Sequence, residues 1–198
     1  DKYNVPRICF INKLDRTGAS FEHSLQSIHE RLTPHAAALT IPIGIEQNFA
    51  GVVDLLAMQV VHFGGEHGEV VERSEIPLEL MASAEEWRHR LVEKVAESDD
   101  ALTDKYLKGE DISVAELKSA LRRATLSSRI VPVLCGSALK NKGVQLVLDA
   151  VVDYLPSPAD MPPVKGTNQK TGAEEERPAR DDAPFSALAF KLQTDPFV

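Results

Sequence analysis

The sequence predicts an α/β protein: buried parallel strands with helices, a mixed block of β-type runs and then helices between them, and one strand at the end. Three observations carry this. Two short apolar runs, residues 5–11 and 129–135, each end in a polar loop and lead into an amphipathic helix, the pattern of buried parallel strands. Four short β-type runs and three helical segments lie between them, far more chain than a strand-helix-strand crossover needs. Beyond the second helix the chain turns rich in Pro, charge and small polar residues, and one last apolar stretch follows.

The elements follow in order. Residues 5–11, Val-Pro-Arg-Ile-Cys-Phe-Ile, are apolar nearly throughout and end at Asn12. A helix then places Phe21, Leu25, Ile28 and Leu32 on one face, and Pro34 stops it. Residues 40–45, 51–56, 59–63 and 70–76 are short β-type runs joined by turns, the closest pairs reading as hairpins. Gly64-Gly65-Glu66-His67-Gly68 lacks the Lys-Ser/Thr ending of a phosphate loop and reads as a hairpin turn. Ser83-Ala84-Glu85-Glu86 reads as a capping box opening a helix with Trp87, Leu91 and Val95. Residues 100–108 form a shorter helix closed by Gly109. Ser113-Val114-Ala115-Glu116 is a second capping box, before Leu117 and Leu121. After the strand 129–135, Asn141 is the expected cap of a helix from about Lys142, with Val144, Val147, Leu148, Val151 and Leu155 as its apolar face. Pro156 and Pro158 end it; residues 159–183 read as linker and loop, and 184–198 as one strand.

Composition sets bounds. The 198 residues are 43% hydrophobic and 26% charged, enough for one or two small cores. No apolar run approaches the ~20 residues of a membrane span. The start, Asp1-Lys2-Tyr3-Asn4, has neither an initiator Met nor the shape of a signal peptide. It runs almost directly into a strand, and the last strand stops without a partner, so a fragment of a longer protein is expected. Cys9 and Cys135 sit late in strand-like runs and read as reduced, buried small hydrophobes. The six histidines show no metal-ligand spacing. Residues 40–128 hold 9 Lys+Arg against 17 Asp+Glu, whereas the remainder holds 13 of each. The whole net charge of −8 therefore sits in this central block, which suits a protein partner better than a nucleic acid.

Asn12-Lys13-Leu14-Asp15 follows the first strand directly and spells N-K-x-D. Guanine presents N1–H and N2–H₂ donors together, and one in-plane carboxylate accepts both; Asp15 is that candidate. Two charge-assisted bonds of roughly 1.5–3 kcal/mol each are on offer. Adenine would leave the carboxylate unmatched, which can discriminate by about 10⁴–10⁵. Lys13 can lay its methylenes along the base and send its ammonium toward backbone carbonyls. Asn12, both donor and acceptor, can tie neighbouring loops together. Gly136-Ser137-Ala138 follows the second strand, where a backbone N–H can donate to O6. Both loops leave the carboxyl ends of strands, where open α/β sheets bind ligands. Asp15-Arg16-Thr17-Gly18 also spells the D-x-x-G of switch regions, but this Asp is already committed to the base.

These residues extend into a wider likeness. Residues 5–8 with 12–19, and residues 134–145, closely resemble the guanine-specificity regions of the elongation factor G family. Asp153-Tyr154-Leu155-Pro156-Ser157-Pro158 resembles its exit from the G domain, and residues 185–191 the first strand of its second domain, a β-barrel. The poorest match is the loop 167–182.

The resemblance implies a partial P-loop GTPase-type sheet. Residues 1–39 and 129–158 would be G domain, 40–128 the inserted subdomain, 159–183 linker, and 184–198 the start of domain two. It assigns Asn12, Lys13 and Asp15 to guanine specificity, with Leu14 a spacer free to vary. Ser137 and Ala138 become the second base-contact loop, Ala138 through its N–H. It implies GTP or GDP with magnesium, a monomeric cytoplasmic protein, no membrane contact, and the ribosome as partner. The large-subunit stalk protein would meet the insertion; the tRNA–mRNA complex would be met only by domains outside this chain. No G-x-x-x-x-G-K-[ST] occurs in the sequence, so the chain alone is expected not to hydrolyse GTP. Two alternatives stand beside this: another ribosomal GTPase with the same insertion (a release factor or ribosome-protection protein), or a non-catalytic interaction module.

Overall fold

The computed structural model describes residues 5–194. The chain forms two compact units, residues 1–155 and 156–198. The first holds two sheets. A parallel sheet in the order β1-β7-β2 joins β1 (Cys9–Ile11), β7 (Val131–Cys135) and β2 (Ala36–Ala38). An antiparallel meander joins β3 (Thr40–Ile43), β4 (Gly51–Asp54), β5 (Gln59–Gly64) and β6 (Val70–Ser74) in sequence order. Helices α1 (Phe21–Arg31), α2 (Leu78–Ala96), α3 (Asp100–Lys108), α4 (Val114–Leu126) and α5 (Val144–Tyr154) complete it. A mixed α/β fold with a parallel sheet is therefore present, as expected.

One core serves both sheets. Ile11, Phe21, Leu25, Val52, Val61, Leu91, Leu117, Leu121 and Val133 belong to the same buried cluster. Leu39 joins the sheets in a single residue: its N–H donates to the Val133 carbonyl (2.8 Å) and its own carbonyl accepts from Leu55 N–H (2.9 Å). The next residue, Thr40, accepts from Cys135 N–H through Oγ1 at 3.0 Å. Burial pushes the Cys135 thiol up to about 12 and raises the half-buried Cys9 as well; both cysteines are free.

Two helix ends behave as the sequence indicates. α3 runs from the side-chain cap of Asp99 to Gly109, which takes the left-handed conformation. Ser113 and Glu116 complete both bonds of a capping box on α4.

Several expectations are corrected. Residues 5–8 are not strand: Pro6 has no N–H for a ladder, and Val5 is exposed. Leu32 is exposed at the end of α1, leaving Phe21 and Leu25 as its buried residues. β2 was not foreseen, because three alanines carry no strand signal. α2 starts at Leu78: the Pro77 carbonyl accepts from Leu80 and Met81 N–H, so Ser83 lies inside the helix and is not its cap. α5 is capped by Gly143, while Asn141 spends its side-chain amide on the His67 carbonyl at 2.9 Å. The buried stripe of α5 is Leu146, Ala150 and Tyr154; Leu148 and Val151 are exposed. Its sequence is apolar on two faces, so periodicity alone did not select one.

In the second unit, β8 (Val164–Thr167) and β9 (Glu174–Arg177) form an antiparallel hairpin within the expected linker. Asn168 builds the turn, its Oδ1 accepting from Lys170 and Thr171 N–H. The hairpin strands are polar and mostly exposed, so no apolar alternation announces them. Residues 184–194 form no strand; the rest of that expected strand, 195–198, lies outside the described residues. Among the described residues no helix is long and apolar enough to cross a membrane.

Candidate nucleotide-binding site

β1 and β7 run parallel with Ile11 opposite Cys135, so the loops that follow them leave the same end of the sheet. Residues far apart in sequence therefore meet. Asn12 Oδ1 accepts from Lys13 N–H (2.8 Å) and from Ala138 N–H (2.9 Å) across 126 positions. Leu14 N–H donates to the Gly136 carbonyl at 3.2 Å, and Gly136 N–H to the Ile11 carbonyl at 3.0 Å. Ser137 and Lys142 exchange both backbone bonds at 2.9 Å, closing the second loop on itself. Gly136 is required there: a Cβ would meet the Lys142 carbonyl oxygen at 2.2 Å.

Asp15 is half-exposed, and its carboxylate takes a hydrogen bond from the fully buried Ser137 side chain. That bond, more than the nearby Arg16 and Lys140, holds the carboxyl below the usual range. Ser137 Oγ also accepts from Lys140 N–H at 3.2 Å. The result is a half-exposed acceptor held in its ionised form at the edge of a cleft. Such a group fits a ligand edge carrying two adjacent N–H donors.

The structure thus brings together Asn12, Asp15, Ser137 and Ala138, with Lys13 in the same loop and exposed. Two expectations change. The side chain of Leu14 is 1% exposed and part of the core, so this position anchors the loop and is not free to vary. The Ala138 N–H, expected to reach a base oxygen, is engaged by Asn12.

Lys13 takes a left-handed backbone (φ 67°), as do Glu46 (φ 55°) and Asn141 (φ 50°). Such a conformation costs roughly 1–2 kcal/mol in a residue with a Cβ. Three of these strained positions surround one site, the usual place for strain that the surroundings enforce.

The residues that tie these loops to the segment 46–68 carry no signal in the sequence. Glu46 N–H donates to the Leu14 carbonyl (2.7 Å), and its carboxylate accepts from Gly18 N–H (2.7 Å). Gln145 donates to the Gly68 carbonyl at 2.8 Å, beside the Asn141–His67 bond. Lys142 Nζ donates to the Phe49 carbonyl at 3.2 Å. A cleft of about 350 Å³ opens among Asp15, Glu46, Gln47, Phe49, Lys140 and Lys142. No sequence spacing relates residue 46 to residue 18; only the return of β3 beside β7 brings them together. Among the described residues, no three His, Cys, Asp or Glu side chains converge on a point that would hold a metal ion.

Two comparisons bear on this geometry. The solved structure of ttk003000868 from Thermus thermophilus matches 82% of this chain at 24% identity, with a TM-score of 0.70. The chain covers 24% of that protein's length, and the likeness is one of fold. Residues 1–157 match the elongation factor Tu GTP binding domain. A parallel sheet carrying N-K-x-D on one loop and Ser137-Ala138 on the next, within a family match spanning most of the chain, leads to one conclusion: this chain belongs to the elongation factor Tu GTP-binding domain family, the translational GTPases.

Proposed function

We propose that this chain is the guanine-reading part of elongation factor G, with its insertion, and that the parent hydrolyses GTP to move tRNA and mRNA on the ribosome. The observation that carries the guanine role is the pairing of two distant loops: Asn12 holds Ala138 N–H at 2.9 Å, and Ser137 holds Asp15. Asp15 then accepts N1–H and N2–H₂ of guanine. Lys13, exposed beside it, covers a face of the base with its methylenes. Ala138 N–H is shared with, or passes from Asn12 to, guanine O6. The likeness of residues 134–145 and 153–158 to elongation factor G favours that parent over a release factor or ribosome-protection protein.

Magnesium accompanies the nucleotide phosphates in this family. Asn12, Lys13, Asp15, Ser137 and Ala138 are assigned to the base, and none of them is offered as a ligand of that ion. Without G-x-x-x-x-G-K-[ST], the 198-residue chain alone does not turn over GTP.

The decisive substitution is Asp15→Asn in the intact factor. An amide accepts N1–H and donates to a C2 carbonyl, so preference moves from guanine to xanthine nucleotides. With one charge-assisted bond lost and one mismatch created, guanine affinity falls about 100-fold, on the order of 3 kcal/mol. Competition binding with the two nucleotides measures this. Unchanged guanine selectivity removes Asp15 from the role.

For the insertion we propose the large-subunit stalk protein as partner, with the factor cytoplasmic and monomeric. Supporting this are the acidic excess of residues 40–128 and a groove of about 720 Å³ between α2 and α3, where Leu107 is 77% exposed. Leu107→Asp abolishes capture by purified stalk protein while leaving nucleotide binding intact; retained capture moves the partner elsewhere.

A further inference from the structure

We infer that Glu46, a residue of the insertion, is a positioning residue for guanine recognition: it holds the Asp15 loop in the shape that reads the base. The inference rests on the guanine role of Asp15 proposed above.

The loop after β1 must present Asp15 with a fixed in-plane orientation, because two hydrogen bonds to one base edge tolerate little rotation. Its start is secured within the parallel sheet. Asn12 binds Ala138 N–H, Leu14 N–H binds the Gly136 carbonyl, and the Leu14 side chain is buried. These contacts fix residues 12–14 and leave the far side of Asp15 to local turns. Those turns are single bonds, Arg16 N–H to Lys13 and Ala19 N–H to Arg16, both at 3.1 Å.

Glu46 closes that far side. Its N–H donates to the Leu14 carbonyl just before Asp15, and its carboxylate accepts from Gly18 N–H just after, both at 2.7 Å. One residue therefore brackets Asp15 on either side. The bonds lie among the shortest described in the site, and one is charge-assisted. Glu46 keeps a left-handed backbone (φ 55°) to make both, and Glu46–Asn48 forms a single 3₁₀ turn whose Phe49 is buried in the core. The bracket is thus built on a packed support. Glu46 also lines the cleft that contains Asp15.

Loss of the carboxylate frees the 15–18 segment and lets guanine leave sooner, while the chemistry that selects guanine, the Asp15 carboxylate itself, stays. Glu46→Ala in the intact factor therefore speeds dissociation of a fluorescent GDP analogue about tenfold, the loss of one charge-assisted bond. Its guanine-over-xanthine preference stays within about twofold of the parent. Glu46→Gln keeps an acceptor oxygen and restores most of the slow dissociation; Glu46→Asp, one methylene short of Gly18, does not. Thermal unfolding of each variant identifies any that fail to fold, and the Gln and Asp pair carries the test if Ala is one of them. Dissociation unchanged in both Glu46→Ala and Glu46→Asp overturns the inference. So does a Gln variant as fast as Ala, which would place charge and not the bond to Gly18 in control. Asp15→Asn runs in parallel: if it leaves guanine preference unchanged, the guanine reading itself fails, whatever Glu46 does.

Discussion

The two sheets of the first unit are built in opposite ways. The antiparallel meander draws its four strands from residues 40–74 in sequence order, each beside its neighbour in the chain. The parallel sheet takes residues 9–11, 36–38 and 131–135 and places the last in the middle. The first is assembled from local contacts; the second closes only when β7, far along the chain from β1 and β2, pairs between them. The site lies on the second, at the ends of its two most distant strands. Non-local assembly is what brings Asn12 to Ala138, and it is why these loops carry so many cross-bonds.

Glycine substitutions separate the two constructions most sharply. Gly136, in the site, and Gly51, on β4, are both pressed against backbone: a Cβ would lie 2.2 Å from the Lys142 oxygen or 2.3 Å from the Val61 oxygen. Each Gly→Ala change costs about 3 kcal/mol, the upper end for overpacking. Urea denaturation of the 198-residue chain measures both. The comparison predicts that only Gly136→Ala also weakens guanine binding in the intact factor, because only it opens the Ser137–Lys142 pair. Equal loss of binding in Gly51→Ala would show that the meander and the base loops respond as one.

The smallest effect concerns pH. Lys105 and Ser113 pull the Glu116 carboxyl down to about 2 from its ordinary 4.5, Lys105 the more strongly. A carboxyl depressed on folding adds stability above its unfolded value and loses it as the pH falls toward the folded one. That contribution is therefore full at pH 7 and fades between about 4.5 and 2. Glu116→Gln lowers the urea midpoint at pH 7, and the gap between variant and parent closes only as the pH falls to about 2. An unaltered pH dependence would remove the α3–α4 bond from the stability of the insertion.

The same contrast explains what the sequence discloses. The meander, the ends of α3 and the cap of α4 depend on neighbours a few residues away, so turns, Gly109 and Ser113 mark them. Around the site, Asn12, Asp15, Ser137 and Ala138 stand out in the sequence because each lies in a polar loop directly after an apolar strand-like run, and the structure brings those two loops together. Glu46 does not, since its part depends on a fold that returns residue 46 to residue 18. β2 was invisible for a related reason: Ala36–Ala38 is a strand because β7 is beside it, not because alanine prefers one. The buried face of α5 and the polar hairpin of β8 and β9 fail from the pattern side. One has apolar residues in excess, the other has almost none.

Leu39 gives the antiparallel meander a stiff mounting. A block hung from flexible tethers absorbs a pull before it reaches the host. Here β2 ends and β3 begins on either side of one residue, which is bonded to β7 and to the residue after β4. There is no slack at this joint. A load on the meander passes straight into the backbone that ends at Cys135, one residue before the glycine that shapes the Ser137 loop.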